Sequence, residues 1–220
     1  MIRLRVDDFP GAKPDEFDRH NFDGFLRFHE TVREHTAAMY LLGVIPKHVS
    51  DEDLRRLPEL GVVVGMHGVD HDERFQNEFR DYYASGEVES TLRIARGRLS
   101  DLARQPVDVY MPPHNVIDGR TIAACAAVGF KAITAGPETV PFMRQIVERH
   151  GLEYLYSDAP LEYGRSDELL ARGSVEHLVS SLDEDPILTL HWTWEYNVGL
   201  SNLDTYLERL SSSFGDFRFG

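Results

Sequence analysis

Asp7 and Asp8 are neighbouring carboxylates at the end of an apolar run, Ile2 to Val6, and Phe9-Pro10-Gly11 turns the chain directly after them. Two adjacent carboxylates repel unless a cation or a proton is shared there. A second set, His67 and His71, ends the run Val63-Val64-Gly65-Met66 and repeats after three residues. That spacing puts both imidazoles on one side of a helical turn, or at two points of a tight loop facing one ion. Imidazole nitrogens with a carboxylate oxygen suit zinc, with cobalt, nickel and manganese as alternatives. Such a histidine pair also occurs in structural roles. What singles it out is that His67 ends a strand just as the aspartates do.

Two further segments share that placement. In Val109-Tyr110-Met111-Pro112-Pro113-His114-Asn115, two prolines stiffen a strand exit and fix where His114 and Asn115 project. The plainer alternative is a rigid turn with an exposed histidine. The run Ile187–Leu190 delivers His191, followed by both tryptophans of the chain, Trp192 and Trp194. Indoles in a rim loop stack on a sugar ring or line a pocket; core anchoring is their commoner role. Cys125, the only cysteine, sits among alanines with no basic neighbour and reads as a small buried residue. His20, His29, His35, His48, His150 and His177 have charged neighbours and read as surface residues.

The elements that must position these groups alternate along the chain. Strands are expected at 2–6, 38–44, 62–66, 107–111, 132–134, 153–156 and 187–190, several bounded by Gly or Pro. Helical patterns occupy 22–35, 51–58, 86–104, 118–128, 140–150, 175–182 and 202–212. Val88, Leu92, Ala95 and Leu99 give one of these a single buried face, and Ser50 caps another ahead of three acids. Sevenfold strand–helix alternation predicts a parallel α/β fold. Asp-Asp-Phe-Pro-Gly replaces a glycine-rich phosphate loop after the first strand, which favours a closed, smaller-than-eightfold barrel over a nucleotide-binding sheet. On a parallel barrel, all these strand ends meet on one rim.

The 220 residues, with no linker or low-complexity tract, read as one domain spanning 1–220. A net charge of −14 argues against nucleic acid and anionic membranes and suits a neutral or cationic small molecule, or a metal ion. The chain opens on a strand and has no apolar run that spans a bilayer, so a cytoplasmic protein is expected. Nothing in the residues sets the oligomeric state.

Asp-Asp after strand one, His-x-x-x-His after a later strand, a Pro-Pro loop and a terminal Leu-x-Leu-His occur in this order over residues 5–191. Together they resemble the polysaccharide deacetylases with the NodB homology domain (carbohydrate esterase family 4). Met111-Pro112-Pro113-His114-Asn115, with Gly129-Phe130 downstream, is most similar to a divergent bacterial branch of that superfamily. The resemblance implies a distorted (β/α)7 barrel and a metal-dependent deacetylase of N-acetylated sugars or carbohydrates. Asp8, His67 and His71 would hold the metal, Asp7 would be the general base and His191 the general acid. Pro113, His114 and Asn115 would border the substrate, with Trp192 and Trp194 beside it.

These residue types suit the chemistry. A metal polarises an amide carbonyl and acidifies water, an unligated carboxylate accepts the water's proton, and a histidine protonates the poor amine leaving group. The chain departs from the family in three places. The Arg that usually precedes Pro-Pro and orients the catalytic Asp is Met111, which leaves Asp7 without its usual support. The usual aromatic after Pro-Pro is His114. The acidic motif that tunes the terminal histidine has no clean match, and Asp158, after the sixth strand, is the candidate. Met111 supports one rival, a carbohydrate-binding protein that kept the barrel and lost turnover. A second rival is a metal-dependent hydrolase of a non-sugar amide or ester.

Overall fold

Seven short runs of buried residues pair side by side: β1 (Arg3–Phe9), β2 (Leu41–Val44), β3 (Val63–His67), β4 (Val109–Met111), β5 (Ala132–Ala135), β6 (Glu153–Tyr156) and β7 (Ile187–His191). The structure is a computed structural model that describes residues 1–11, 22–72, 74, 77–81, 84, 86–136, 143–156, 166–171 and 186–218. Every pairing is parallel, in the order β6-β5-β4-β3-β2-β1-β7. The sheet curls into a half-barrel with helices around it, the distorted (β/α)7 architecture expected. Parallel strands need crossovers, and the intervening helices supply them on the convex face.

Alternation along the strands makes two cores. Leu4, Val6, Leu42, Val44, Val64 and Met66 face the helices and join the large cluster there. Leu41, Val109, Met111, Ala132, Leu155 and Ile187 fill the concave side as a smaller apolar cluster. Gly43 and Gly65 make room within it. A Cβ on Gly43 would stand 2.5 Å from Met111 Cε, and one on Gly65 would stand 3.1 Å from the same atom.

Several helices follow their patterns closely. Phe22–His35 has the expected bounds, and Val88–Ala103 buries Val88, Leu92, Ala95 and Leu99. Ser50 caps Asp51–Arg56 by accepting from the Asp53 amide at 3.0 Å. Cys125 is buried, and burial pushes its thiol pKa up. The helix expected at 175–182 lies outside the described residues. No helix among the described residues is long and apolar enough to cross a membrane.

Three expectations are corrected. β1 does not stop at Val6 but continues through Asp7 and Asp8 to Phe9, with its register against β2 shifting between Val6 and Phe9. The segment after His191 is a helix, Trp192–Val198, rather than a loop. His29 is a buried residue, 8% exposed, with Nδ1 2.9 Å from the Tyr40 hydroxyl.

Candidate metal centre

The break in β1 register explains how neighbouring aspartates come to face different partners. Asp8 adopts a left-handed backbone, φ +67°, which a bulge in a strand permits and which aims a side chain off its regular face. The Trp192 indole Nε1 donates to the Asp8 carbonyl at 2.9 Å and holds that backbone turn. Asp7 stays in register opposite His191 of β7, while Asp8 turns toward the end of β3.

At that end, His67 Nε2 lies 3.0 Å and His71 Nε2 3.5 Å from Asp8 Oδ1. All three residues are buried, and their ligand atoms lie within 4.8 Å of one another. Despite the proximity, Asp8 Oδ1 has no directed hydrogen bond. Buried oxygens are almost always satisfied, so an unsatisfied carboxylate oxygen facing two imidazole nitrogens fits a divalent cation. Two nitrogens and one oxygen are also a donor set for zinc and its first-row neighbours.

The loop between the histidines is tied down from outside. His67 Nδ1 faces the Met111 carbonyl at 3.2 Å; an N–H there leaves Nε2 its lone pair. His71 lies in a left-handed conformation (φ +52°), as does Gly68 (φ +60°). Glu78, 3% exposed, accepts from the Val69 amide at 2.9 and 3.1 Å and from the Asp70 amide at 2.9 Å. Lys47 N donates to the Val69 carbonyl at 3.0 Å, and its ammonium pairs with Asp70. Burial pushes the Glu78 pKa up against these amide donors. No motif marks Glu78, which sits on a four-residue helix, Glu78–Asp81, that carries no periodic pattern.

Charges around the site sort by environment. Burial works to raise the Asp8 pKa, but His67, His71 and His191 outweigh it and hold the carboxyl far below the usual range. Burial depresses His71 to about 4, with His67 and His114 adding to the effect against Asp8. A neutral imidazole is what a metal ligand requires. Burial opposes charge on His67 too, yet Asp7 and Asp8 raise its pKa.

Asp7 has the support that Met111 removed. Arg5, two residues earlier on the same strand face, donates from Nε to Asp7 Oδ1 at 2.8 Å and from Nη2 to Oδ2 at 2.5 Å. Both side chains are buried. Burial would raise the Asp7 pKa; the Arg5 guanidinium, with His67 and His191, brings it below the ordinary value. The expectation of an unsupported Asp7 is therefore corrected. The period-2 spacing of Arg5 and Asp7 within a strand was the available signal.

The expected substrate contacts divide. His114 is exposed, with its ring centroid 4.8 Å from that of His71, and Trp194 is 39% exposed and stacks on His191 at 4.1 Å. Trp192 is a core residue instead, fully buried against Phe9, Phe25 and Tyr196. Asn115 is also internal: its Oδ1 accepts from the Gly136 amide at 2.7 Å and ties the β4 exit to the end of β5. Pro113 is buried against Gly68 and so braces the histidine loop. Asp158 lies outside the described residues.

No protein-family model and no curated protein matches the sequence. Solved structures do match. The polysaccharide deacetylase Bc1974 from Bacillus cereus superposes with a TM-score of 0.59 at 16% identity, over 99% of this chain and 92% of that one. A family 4 carbohydrate esterase from Streptomyces lividans, in complex with acetate, gives 0.56 at 12% identity over 96% and 85%. A CE4 family pseudoenzyme from Bacillus anthracis gives 0.61 at 12% identity over 98% and 62%. This chain thus spans less than two thirds of the pseudoenzyme's length. The likeness is one of architecture: the chain has the fold of the family 4 carbohydrate esterases and polysaccharide deacetylases.

Proposed function

We propose that the protein is a metal-dependent deacetylase that hydrolyses the acetamido group of an N-acetylated sugar or carbohydrate. The observation that carries this reading is the unsatisfied Asp8 Oδ1 facing His67 and His71, with Asp7 held in an arginine fork beside it. Asp8, His67 and His71 would hold the ion, zinc by ligand type. A divalent cation there supplies Lewis acidity, which polarises the amide carbonyl and lowers the pKa of water.

The chain's own groups carry the protons. Each Asp7 oxygen uses one lone pair on Arg5 and keeps another for the proton of an attacking water. His191 is the register partner of Asp7 and half-buried at the strand end, so a base and an acid stand on adjacent strands. His191 passes a proton to the departing amine nitrogen, which leaves poorly without one. The Trp194 indole covers one face of that ring and fixes its orientation.

The test is acetate release from a panel of N-acetylated mono- and oligosaccharides by protein loaded with zinc, cobalt, nickel or manganese. Release is expected with at least one ion, lost in His67→Ala and reduced at least a thousandfold in Asp7→Asn. Wild-type protein that takes up no divalent ion would end the metal reading. Sugar binding without Asp7-dependent acetate release would leave a carbohydrate-binding protein, and release only from non-sugar amides or esters would move the substrate class.

A further inference from the structure

We propose that Arg5 is the positioning residue of Asp7, doing from β1 what position 111 on β4 would do if it were an arginine. The inference rests on Asp7 being the base of the proposed reaction.

The geometry is specific. Arg5 is 1% exposed, and it uses its Nε–Nη2 edge on both oxygens of Asp7. A planar fork on a planar carboxylate fixes the carboxylate's rotation as well as its position, which a single point charge does not. The remaining nitrogen, Nη1, points across the half-barrel to β5, 3.5 Å from both Oγ1 and the carbonyl of Thr134. The guanidinium thus bridges the concave side and anchors Asp7 to a strand four places away in the sheet.

Stability alone does not account for such a pair. Burying an arginine and an aspartate costs desolvation that their attraction roughly repays, and apolar residues of similar volume serve as well or better. Leu41, Val109 and Met111 pack on the same concave side, with Thr134 the polar neighbour of the guanidinium. A charged pair kept in that setting points to orientation of the carboxylate.

Position 111 is the alternative seat. A Cβ built on Gly43 would lie 2.5 Å from Met111 Cε and 3.2 Å from Asp7 Oδ1, so the tip of Met111 and the carboxylate flank one point. A guanidinium at 111 would therefore reach Asp7. With Arg5 in place a second one would be redundant, and methionine fills the space between Gly43 and Gly65 as a flexible apolar chain.

The experiment compares Arg5→Lys, Arg5→Met and the double variant Arg5→Met/Met111→Arg with wild type, all metal-loaded. Arg5→Lys keeps the charge without the fork. Its kcat is expected to fall at least tenfold, with KM and metal affinity within about threefold of wild type. Arg5→Met should fall about a hundredfold in kcat, and Met111→Arg in the same chain should restore at least tenfold of it. A second readout needs no turnover. Arg5→Met leaves a buried, unpaired carboxylate and lowers Tm by about 10 °C, and Met111→Arg should recover at least half of that. Wild-type kcat in Arg5→Lys overturns the proposal, as does failure of Met111→Arg to restore either kcat or Tm. If wild type itself releases no acetate, the functional reading fails, and the Tm rescue alone decides whether position 111 can replace Arg5.

Discussion

The indole of Trp192 donates a hydrogen bond to the main-chain carbonyl of Asp8 at 2.9 Å, across 184 residues of sequence. The donor is the first residue of the helix that follows β7, and the acceptor is the proposed metal ligand with a left-handed backbone. A non-glycine residue in that region costs of order 1–3 kcal/mol and persists only where its surroundings hold it. Four of the five such residues described here, Asp8, His71, His114 and Asn115, lie at or beside the site. The backbone around the proposed ion is therefore held in a costly shape by buried neighbours, among them Trp192, Glu78 and Gly136.

Replacing Trp192 by Phe keeps an aromatic ring against Phe9 and Phe25 and removes the donor. The Asp8 carbonyl then loses its buried partner, at a cost of about 1–3 kcal/mol. Chemical denaturation should show that loss in the metal-free protein. Zinc affinity, read by chelator competition, should weaken about tenfold because Asp8 is no longer aimed. An unchanged affinity would mean that Asp8 holds its conformation without the indole.

Gly68 tests the other wall. It has φ +60°, and a Cβ there would run into the Pro113 ring and the Glu78 carboxylate. Gly68→Ala therefore adds backbone strain to a clash with two buried groups, at about 2 kcal/mol or more. The His67–His71 loop must shift to relieve it. Denaturation midpoints and metal affinity should fall together, and a variant that loses stability but keeps full affinity would separate the loop from the site.

The seven strands and the convergence of Asp7, Asp8, His67, His71 and His191 were legible because strand-end placement and residue type are local properties. The aromatic fate of Trp192 was not, since indole burial depends on Phe9 and Phe25 arriving from distant segments. Asn115 misled for a similar reason: a polar residue on a rim loop turned inward to cap Gly136. Arg5 was readable in principle, as strand periodicity puts it on the face of Asp7. Its pairing was masked by the expectation that the arginine would precede Pro-Pro. Glu78 had no signal, because what defines it is the set of amides it receives.

Stability of the metal-free protein should depend on pH through its buried histidines. Burial lowers His29 to about 4, with Arg33 adding to the effect, and lowers His71 to about 4 as well. In the unfolded chain both titrate near 6.5. Between these values the unfolded state binds more protons, so stability falls as pH drops from about 6.5 to about 4. The raised pKa of His67 acts in the opposite sense, giving stability below 6.5 that is lost as pH rises through its folded value. His29→Asn, which keeps a hydrogen bond to Tyr40 but cannot titrate, isolates one contribution. Its Tm should drop less than that of wild type between pH 7 and pH 5, and equal drops would show that His29 takes up no proton on unfolding.

Trp194 stacks on His191 with ring centroids 4.1 Å apart and planes 16° from parallel, and it is 39% exposed. An indole 39% exposed still buries much of its surface, so Trp194→Ala should lower stability by about 1–2 kcal/mol without unfolding the protein. Two roles remain, and kinetics separate them. If the indole fixes the proton donor, its removal lets the imidazole rotate away from the leaving amine. Then kcat falls about tenfold with KM nearly constant, the pattern of an interaction made in the transition state. Trp194→Phe, which preserves a stacking face, should recover most of the rate. A raised KM with unchanged kcat would instead mark Trp194 as a platform for the sugar ring. The near-parallel stack favours the first outcome, because it already holds the indole against the imidazole.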